Sequence, residues 1–117
     1  MQPIACVDLN GVLDAYTGWQ GAEHFDPPRE GAREFLVALR QRGYRIVIFT
    51  TRHDDDVWAW VDTHGLRELV DDVTNRKPAA HVFVDDRAVC FRGDFDATLK
   101  DIDAFSAHWE PPRDALA

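Results

Sequence analysis

A chain of 117 residues has room for one small domain with one hydrophobic core. Its formal net charge of −8 at pH 7 argues against a broad nucleic-acid surface, because duplex binding depends on Lys and Arg contacts to phosphates. No apolar run approaches the roughly 20 residues needed to span a bilayer, and the N-terminus has no secretory signal, so we expect a cytoplasmic protein without membrane segments.

The first predicted element is a buried strand from Pro3 to Asp8. An apolar run ends in Asp8, and Gly11 allows a tight turn directly afterwards. Ligand and catalytic groups collect beyond the carboxyl ends of parallel strands, so Asp8 is a candidate site residue. The alternative is a strand closed by an Asp-containing turn. In the polar loop 14–28 that follows, aromatic side chains either pack on the domain edge or close over a ligand, and we favour packing.

A helix and a second strand are predicted over residues 28–50. The helix begins at Pro28, since proline suits a first turn, and it ends near Arg42 before a glycine. The residues expected to face the core are Ala32, Phe35, Leu36 and Leu39. Residues 44–50 form a nearly continuous apolar run ending in Thr50, which predicts a strand buried on both faces.

A second helix is predicted to begin near Asp54–Asp56 and to end at Gly65. Negative charges stabilise a helix N-terminus, so we interpret these aspartates as helix-start residues rather than metal ligands. The residues expected to be buried are Val57, Trp58 and Val61. A further helical turn is expected over residues 66–70, and Pro78 keeps the basic loop 75–78 out of helix.

Three elements are predicted in the last third of the chain. They are a strand over residues 81–84, a short strand Val89–Phe91, and a helix from Asp96 to about Trp109 that buries Leu99, Ile102 and Phe105. Cys6 and Cys90 lie in apolar, strand-like sequence, so both are expected to be buried structural thiols.

Alternating strands and helices in so short a chain imply parallel βαβ units with right-handed crossovers. We therefore predict an α/β fold, a three-layer α/β/α sandwich with a central parallel sheet. The prediction is a single domain over residues 1–110, followed by a frayed tail at 111–117.

Polar or charged residues follow each of the three apolar strands, and a lysine precedes the third strand. These residues are Asp8 and Asn10, then Thr50, Thr51 and Arg52, then Lys77, and finally Asp85 and Asp86. In this order they resemble the motifs of the haloacid dehalogenase (HAD) superfamily, whose members are mostly Mg²⁺-dependent phosphatases. The first motif is matched by Asp8-Leu9-Asn10-Gly11-Val12. The runs Thr51-Arg52 and Asp85-Asp86-Arg87 are also similar to those in the phosphatase domain of polynucleotide kinase-phosphatases.

The resemblance implies a role for each catalytic position. Asp8 would be the nucleophile that attacks phosphorus and forms an aspartyl-phosphate. Thr50 would donate a hydrogen bond to the transferring phosphoryl group, and Lys77 would neutralise that group and Asp8. The intervals between motifs have no room for an inserted cap domain, so the chain resembles a capless member. Its site is then either open or closed by the loop 14–28 or by a second subunit.

Metal and substrate ligands are implied by the same resemblance. Mg²⁺ would be held by Asp8, the backbone carbonyl of Asn10 and Asp86, and Asp85 would be an additional or alternative ligand. Thr51 and Arg52 would contact the substrate. Arg52 holds the phosphate in bidentate fashion or forms a surface ion pair with the aspartates at 54–56, and the sequence leaves both open.

Asn10 departs from the family pattern, which has there a second Asp that protonates the leaving oxygen. An amide does not titrate in this range, so turnover is expected to fall by about 10²–10⁴ unless another group replaces the acid. Asp14 and His24 are the candidates in the following loop; the alternative is that both are solvated loop residues. A substrate with an acidic leaving group would need no general acid. Deamidation of Asn10 would restore the usual Asp.

The resulting expectation is a Mg²⁺-dependent phosphomonoester hydrolase, slow or restricted to certain small phosphorylated substrates, a nucleotide being one candidate. The competing hypothesis is a catalytically impaired relative that binds a phosphorylated ligand or partner without turnover. Four tryptophans can leave exposed aromatic surface that would favour a homodimer, although core packing explains them equally well.

Overall fold

The computed structural model describes residues 2–111. The chain divides into two compact units, Met1–Asp85 and Asp86–Ala117, and each is described by itself. The single domain expected over residues 1–110 stays a prediction. The tail expected at 111–117 lies, apart from Pro111, outside the described residues.

The first unit is built on a four-stranded parallel sheet. Its strands are β1 (Ile4–Asp8), β2 (Arg45–Phe49), β3 (Asp72–Thr74) and β4 (Val82–Val84), in the order β3-β2-β1-β4. All three pairings are parallel, so the carboxyl ends of the strands lie along one edge. The predicted α/β class, a central parallel sheet flanked by helices as in Rossmann-like sandwiches, is confirmed. β3 was not predicted, because only Val73 of its three residues is buried.

The hydrophobic core of the first unit lies on one face of the sheet. Alternate residues of β1 and β2 point to this face and are fully buried: Ala5, Val7, Ile46 and Ile48. Helix α1 (Ala32–Gln41) packs against β2, and helix α2 (Asp54–Thr63) packs against β3. Because both helices are amphipathic, each covers part of the sheet with one apolar side.

Helix α1 begins later than Pro28. Pro28 instead pairs with Asp14 in an isolated antiparallel bridge, and Gly31, with φ of 89°, starts the helix. Three of the four residues predicted to face the core are buried: Ala32, Leu36 and Leu39. Phe35 is 37% exposed, so its predicted burial was wrong. Phe35 instead lines surface clefts, together with residues such as Ala32 and Leu39.

Helix α2 begins at Asp54, as predicted, with the three aspartates in its first turn. The N-cap is His53, whose side chain accepts a hydrogen bond from Asp55 N. Val57 and Val61 are buried, but the buried tryptophan is Trp60 and not Trp58, which is only half-buried. Trp60 Nε1 donates to the Asp26 carbonyl (2.8 Å), and Arg67 lies over the Trp58 ring. The turn expected at 66–70 is a 3₁₀ turn over Arg67–Leu69.

The second unit contains helix α3 (Phe95–Asp103), capped by the Asp94 side chain, which accepts from Ala97 N. No residue of α3 is buried; Leu99 is 58% and Ile102 46% exposed, so their predicted burial was wrong. The strand predicted at Val89–Phe91 does not form. Periodicity identified an amphipathic helix, but the helix ends at Asp103 and not near Trp109, so Phe105 lies outside it. Periodicity also could not establish what would cover the apolar side. Within residues 2–111, no helix has both the length and the apolar composition needed to cross a bilayer.

Two matched substitutions test this assignment of buried and exposed helix faces. Leu36→Ala in α1 removes a fully buried side chain and is expected to lower the free energy of unfolding by about 2–5 kcal/mol. Leu99→Ala in α3 is expected to change it by less than about 0.5 kcal/mol. Urea unfolding of both variants measures the difference, and equal losses would contradict the exposure of α3.

Candidate active site

The ends of three neighbouring strands meet at the carboxyl edge of the sheet. Asp8 ends β1 and lies opposite Phe49 of β2, the residue before Thr50. Val7 lies opposite Val84 of β4, so Asp85 follows β4 at the level of Asp8. Neighbouring strands are about 4.8 Å apart, which brings Asp8, Thr50 and Asp85 side by side, as the motif order predicts.

The carboxylates of Asp8 and Asp85 are close enough to share a ligand. An oxygen of Asp8 and an oxygen of Asp85 lie within 4.8 Å of each other. Asp86 is the first residue of the second unit, where its Oδ2 accepts a 2.5 Å hydrogen bond from Trp109 Nε1. The peptide bond keeps its Cα about 3.8 Å from that of Asp85. The preference for Asp86 over Asp85 as a metal ligand stays a prediction.

Thr50 is a buried polar residue, 5% exposed, at the end of β2. Its backbone N–H donates to the Thr74 carbonyl (3.0 Å), and its Oγ1 accepts from Arg52 N (3.2 Å). These two bonds hold the residue and its side chain in place. A hydroxyl that accepts one hydrogen bond still has its own hydrogen to donate.

Asn10 lies in a single turn, Leu9–Leu13, that follows β1 directly. The turn is closed by a 3.1 Å bond from Asp14 N to the Leu9 carbonyl, and it places Gly11 at φ of 90°, a conformation that favours glycine. The Asn10 amide uses both of its polar atoms. Its Oδ1 accepts from Arg52 Nε (3.0 Å), and its Nδ2 donates to Asp14 Oδ2 (2.7 Å).

Asp14 is fully buried beneath this turn. Besides the bond from Asn10, its Oδ1 accepts from Gly11 N (2.9 Å) and Tyr16 N (3.1 Å). Burial raises the pKa of this carboxyl, and the three hydrogen bonds oppose the rise. Asp14 therefore holds the turn together and is not a solvated loop residue. Asp14 follows Gly11 by three residues, a spacing typical of a side chain that closes a turn. This spacing could have predicted the role of Asp14 from the sequence.

Arg52 joins the loop 15–27 to this network. Its guanidinium lies 4.2 Å from the ring centre of Phe25 and 5.0 Å from that of Trp19, and its Nη1 donates to the Ala22 carbonyl (3.3 Å). Within residues 2–111, the hydrogen bonds of its guanidinium go to Asn10 and this loop, and no ion pair with residues 54–56 forms. Two aromatic residues of the loop, Trp19 and Phe25, thus pack on an arginine at the site. His24 pairs with Asp26 (3.0 Å) in the same loop.

Lys77 is exposed in the loop after β3, and its Nζ lies 4.8 Å from the ring centre of Phe83. The positive charge of Lys77 interacts electrostatically with the buried thiol of Cys6, which lies two residues before Asp8. Burial is the largest cause that raises the pKa of Cys6, to about 11; the charges of Asp85 and Asp8 add to the rise, and that of Lys77 opposes it. These effects indicate that the three charges lie around the end of β1.

Two clefts border the site. One, of about 520 Å³, lies between the loop 15–27 and α2, with Phe25, Glu23 and Trp60 among its lining residues. The other, of about 570 Å³, lies at the carboxyl ends of β2 and β3, and we call it the β2–β3 cleft. It is lined by Thr51, Arg52, His53, Asp54, Val73, Thr74, Asn75 and Arg76. Thr51 is thus one of the residues that line this cleft.

Comparison with known proteins supports the fold alone. No model of a known protein family matches the chain, and no curated protein matches it. A conserved protein of Bacteroides thetaiotaomicron has a similar solved structure, with a TM-score of 0.59 and 19% sequence identity, covering 88% of this chain and 91% of that one. Its description names no activity. The resemblance to the HAD superfamily therefore rests on the motifs and their geometry.

The two cysteines are expected to differ in reactivity. Cys6 is buried with a raised pKa, so its thiol stays protonated at pH 8, whereas Cys90 is exposed, contrary to its predicted burial in a strand. Iodoacetamide at pH 8 should therefore label Cys90 in the folded protein and label Cys6 only after unfolding. Peptide mapping by mass spectrometry measures both; labelling of Cys6 at the rate of Cys90 would contradict the assignment.

Asn10→Asp tests the network beneath the turn. One oxygen of the new carboxylate can still accept from Arg52 Nε, but the other lies against Asp14, and two adjacent carboxylates raise the pKa of one of them. The folded variant then binds more protons than the unfolded chain, so its stability falls as pH rises. We expect a loss of about 1–3 kcal/mol at pH 8 relative to the natural protein, and a smaller loss at pH 5. Denaturant unfolding at both pH values measures this.

The matched control is Asn75→Asp, which adds the same charge at an exposed position. It should change the free energy of unfolding by less than about 0.5 kcal/mol at either pH. If Asn10→Asp were as stable as Asn75→Asp at pH 8, the Asn10–Asp14 contact would not exist in solution.

Proposed function

We propose that this chain is a Mg²⁺-dependent phosphomonoester hydrolase of the HAD type without a cap domain. The observation that supports it most is the close approach of the Asp8 and Asp85 carboxylates at the carboxyl edge of a parallel sheet, with Thr50 on the adjoining strand. This edge is where ligands bind in open α/β sheets. The order of motifs along the chain is the second support.

The reaction would proceed in two displacements at phosphorus. A carboxylate oxygen of Asp8 forms a bond to phosphorus while the bond to the leaving oxygen breaks, which gives an aspartyl-phosphate. Water then attacks phosphorus, releases inorganic phosphate and restores Asp8. Thr50 would donate its hydroxyl hydrogen to a phosphoryl oxygen, and Lys77 would offset the negative charge, because phosphoryl transfer depends mainly on positioning and charge stabilisation.

The available donors suit a hard cation. The carboxylates of Asp8 and Asp85, the backbone carbonyl of Asn10 and the predicted ligand Asp86 are all oxygen ligands, which Mg²⁺ prefers together with several waters. When bound, the ion supplies positive charge to the carboxylates and to the phosphoryl oxygens. That charge matters because a phosphate would otherwise approach paired carboxylates in a chain of net charge −8.

Asn10 limits the reaction at the leaving group. Its amide does not titrate, and both of its polar atoms are bound to Arg52 and Asp14. Asp14 is buried and both of its oxygens accept hydrogen bonds, so this carboxyl is held in the turn and is not free to protonate a leaving group. We therefore expect the protein to prefer substrates with acidic leaving groups, which depart without protonation.

The same contacts favour the second candidate function. An amide anchored on one side by Arg52 and on the other by Asp14 suits a protein that binds a phosphorylated ligand or partner without turning it over. Cytoplasmic location and a homodimer stay predictions from the sequence.

Asp8→Asn tests the proposed nucleophile. With Mg²⁺ and p-nitrophenyl phosphate, whose leaving group is acidic, the natural protein should release nitrophenol, and the variant should lower kcat by roughly 10³-fold or more. The matched control Asp101→Asn removes one charge from an exposed position on α3 and should keep full activity. Absorbance of nitrophenol measures all three proteins.

The outcomes separate the two candidate functions. Hydrolysis that survives in Asp8→Asn would exclude Asp8 as nucleophile. Absence of hydrolysis in the natural protein, together with calorimetric binding of inorganic phosphate in the presence of Mg²⁺, would replace the hydrolase with the binding function.

A further inference from the structure

We propose that the β2–β3 cleft binds a second anionic group of the substrate. The preferred substrates would then be bisphosphates, which have two phosphate groups on different carbon atoms. This inference rests on the proposed function, since it assumes that the first phosphate lies at Asp8.

The position of the cleft sets the separation of the two groups. Asp8 lies opposite Phe49, and Phe49 lies opposite Thr74 on β3, so the cleft begins one to two strand spacings from Asp8. That corresponds to roughly 5–10 Å. The 3.0 Å bond from Thr50 N to the Thr74 carbonyl ties the ends of β2 and β3 together beneath the cleft. A ligand can therefore contact Thr50 and the cleft at once.

The charge of the cleft suits an anion. Two arginines, Arg52 and Arg76, line it against one aspartate, Asp54, in a chain whose net charge is −8. Because most of the surface of such a chain repels anions, a local excess of arginine gives this cleft a distinct affinity for them.

Arg76 is the residue best placed to contact the second anion. Its backbone is held by Thr74, whose Oγ1 accepts from Arg76 N (3.0 Å) and donates to the Arg76 carbonyl (3.3 Å). Across residues 2–111, no hydrogen bond or ion pair occupies its guanidinium. A guanidinium with free donors binds phosphate in bidentate fashion.

Arg52 lies between the two proposed phosphate positions. Its Nε donates to Asn10 beside the strand end, and its Nη1 donates to the Ala22 carbonyl. A guanidinium has five N–H donors, so others remain for a ligand. Thr51 and Asn75 add further polar side chains to the lining of the cleft.

The spacing favours two separated phosphates over a diphosphate. The two phosphorus atoms of a diphosphate share one bridging oxygen, so they lie closer together than the strand spacings between Asp8 and the cleft. Two phosphates separated by a sugar can span that distance. The cleft volume of about 570 Å³ also leaves room for more than a single phosphate group.

Binding to the Asp8→Asn variant tests the inference, because that variant should not consume the ligand. Isothermal titration with Mg²⁺ compares adenosine 3′,5′-bisphosphate with both adenosine monophosphates and with ADP, and fructose 1,6-bisphosphate with fructose 6-phosphate. We expect a bisphosphate to bind at least about 10-fold more tightly than its monophosphates in one or both series, and ADP to show no such advantage.

Two charge-removing substitutions in the same background identify the site. Arg76→Gln should lower the affinity for the bisphosphate to within about 2-fold of the monophosphates. Arg45→Gln is the matched control: Arg45 is exposed at the amino end of β2, on the opposite edge of the sheet, and its loss should leave the bisphosphate preference unchanged. A preference that persists in Arg76→Gln would overturn the assignment to the cleft.

Failure of this inference can be told apart from failure of the proposed function. Equal affinities for bisphosphates and monophosphates in both series overturn the cleft assignment, while hydrolysis of p-nitrophenyl phosphate by the natural protein keeps the proposed function. A bisphosphate preference without hydrolysis by the natural protein supports the cleft and overturns the hydrolase. No binding of any of these phosphates overturns both.

Discussion

The candidate site depends on the parallel register of β1 between β2 and β4. Ala5 and Val7 pair with Ile46 and Val84, and a shift by one residue would turn the buried side chains of β1 to the other face of the sheet. Full burial of a side chain such as that of Val7 is worth about 1.5–3 kcal/mol, so the core opposes a shift. The same register places Asp8 beside Thr50 and Asp85. The register that buries the core residues of β1 is therefore the same register that positions the site residues.

A second constraint is the hydrogen-bonded chain that begins in the turn after β1. Asp14 holds the turn, Asn10 links Asp14 to Arg52, and Arg52 packs against Phe25 and Trp19 of the following loop. The residue at position 10 thus belongs to the structure of the site as well as to its chemistry. An amide satisfies a donor and a carboxylate at once, whereas a carboxylate there would face another carboxylate.

Much of the fold follows from local patterns. Continuous apolar runs predicted β1, β2 and β4, and apolar spacing predicted α1 and α2, because strands and helices in a small α/β unit bury whole faces. The motif order also indicated which side chains meet, since the carboxyl ends of parallel strands share one edge. The sequence predicted Asp8, Thr50, Asp86 and Asp85 at this edge, with Asp86 preferred over Asp85 as a metal ligand, and the structure brings Asp8 and Asp85 close together.

The sequence by itself determined the α/β class, the central parallel strands and the set of polar residues at their ends. Only the tertiary structure decided that Trp60 and not Trp58 is buried, that Val89–Phe91 is not a strand, that α3 exposes its apolar side, and that Asp14 lies beneath the turn of Asn10. The physical reason is that a strand needs a pairing partner and a buried side needs a covering surface. Residues distant in the chain supply both the pairing partner and the covering surface, and local periodicity contains no information about them.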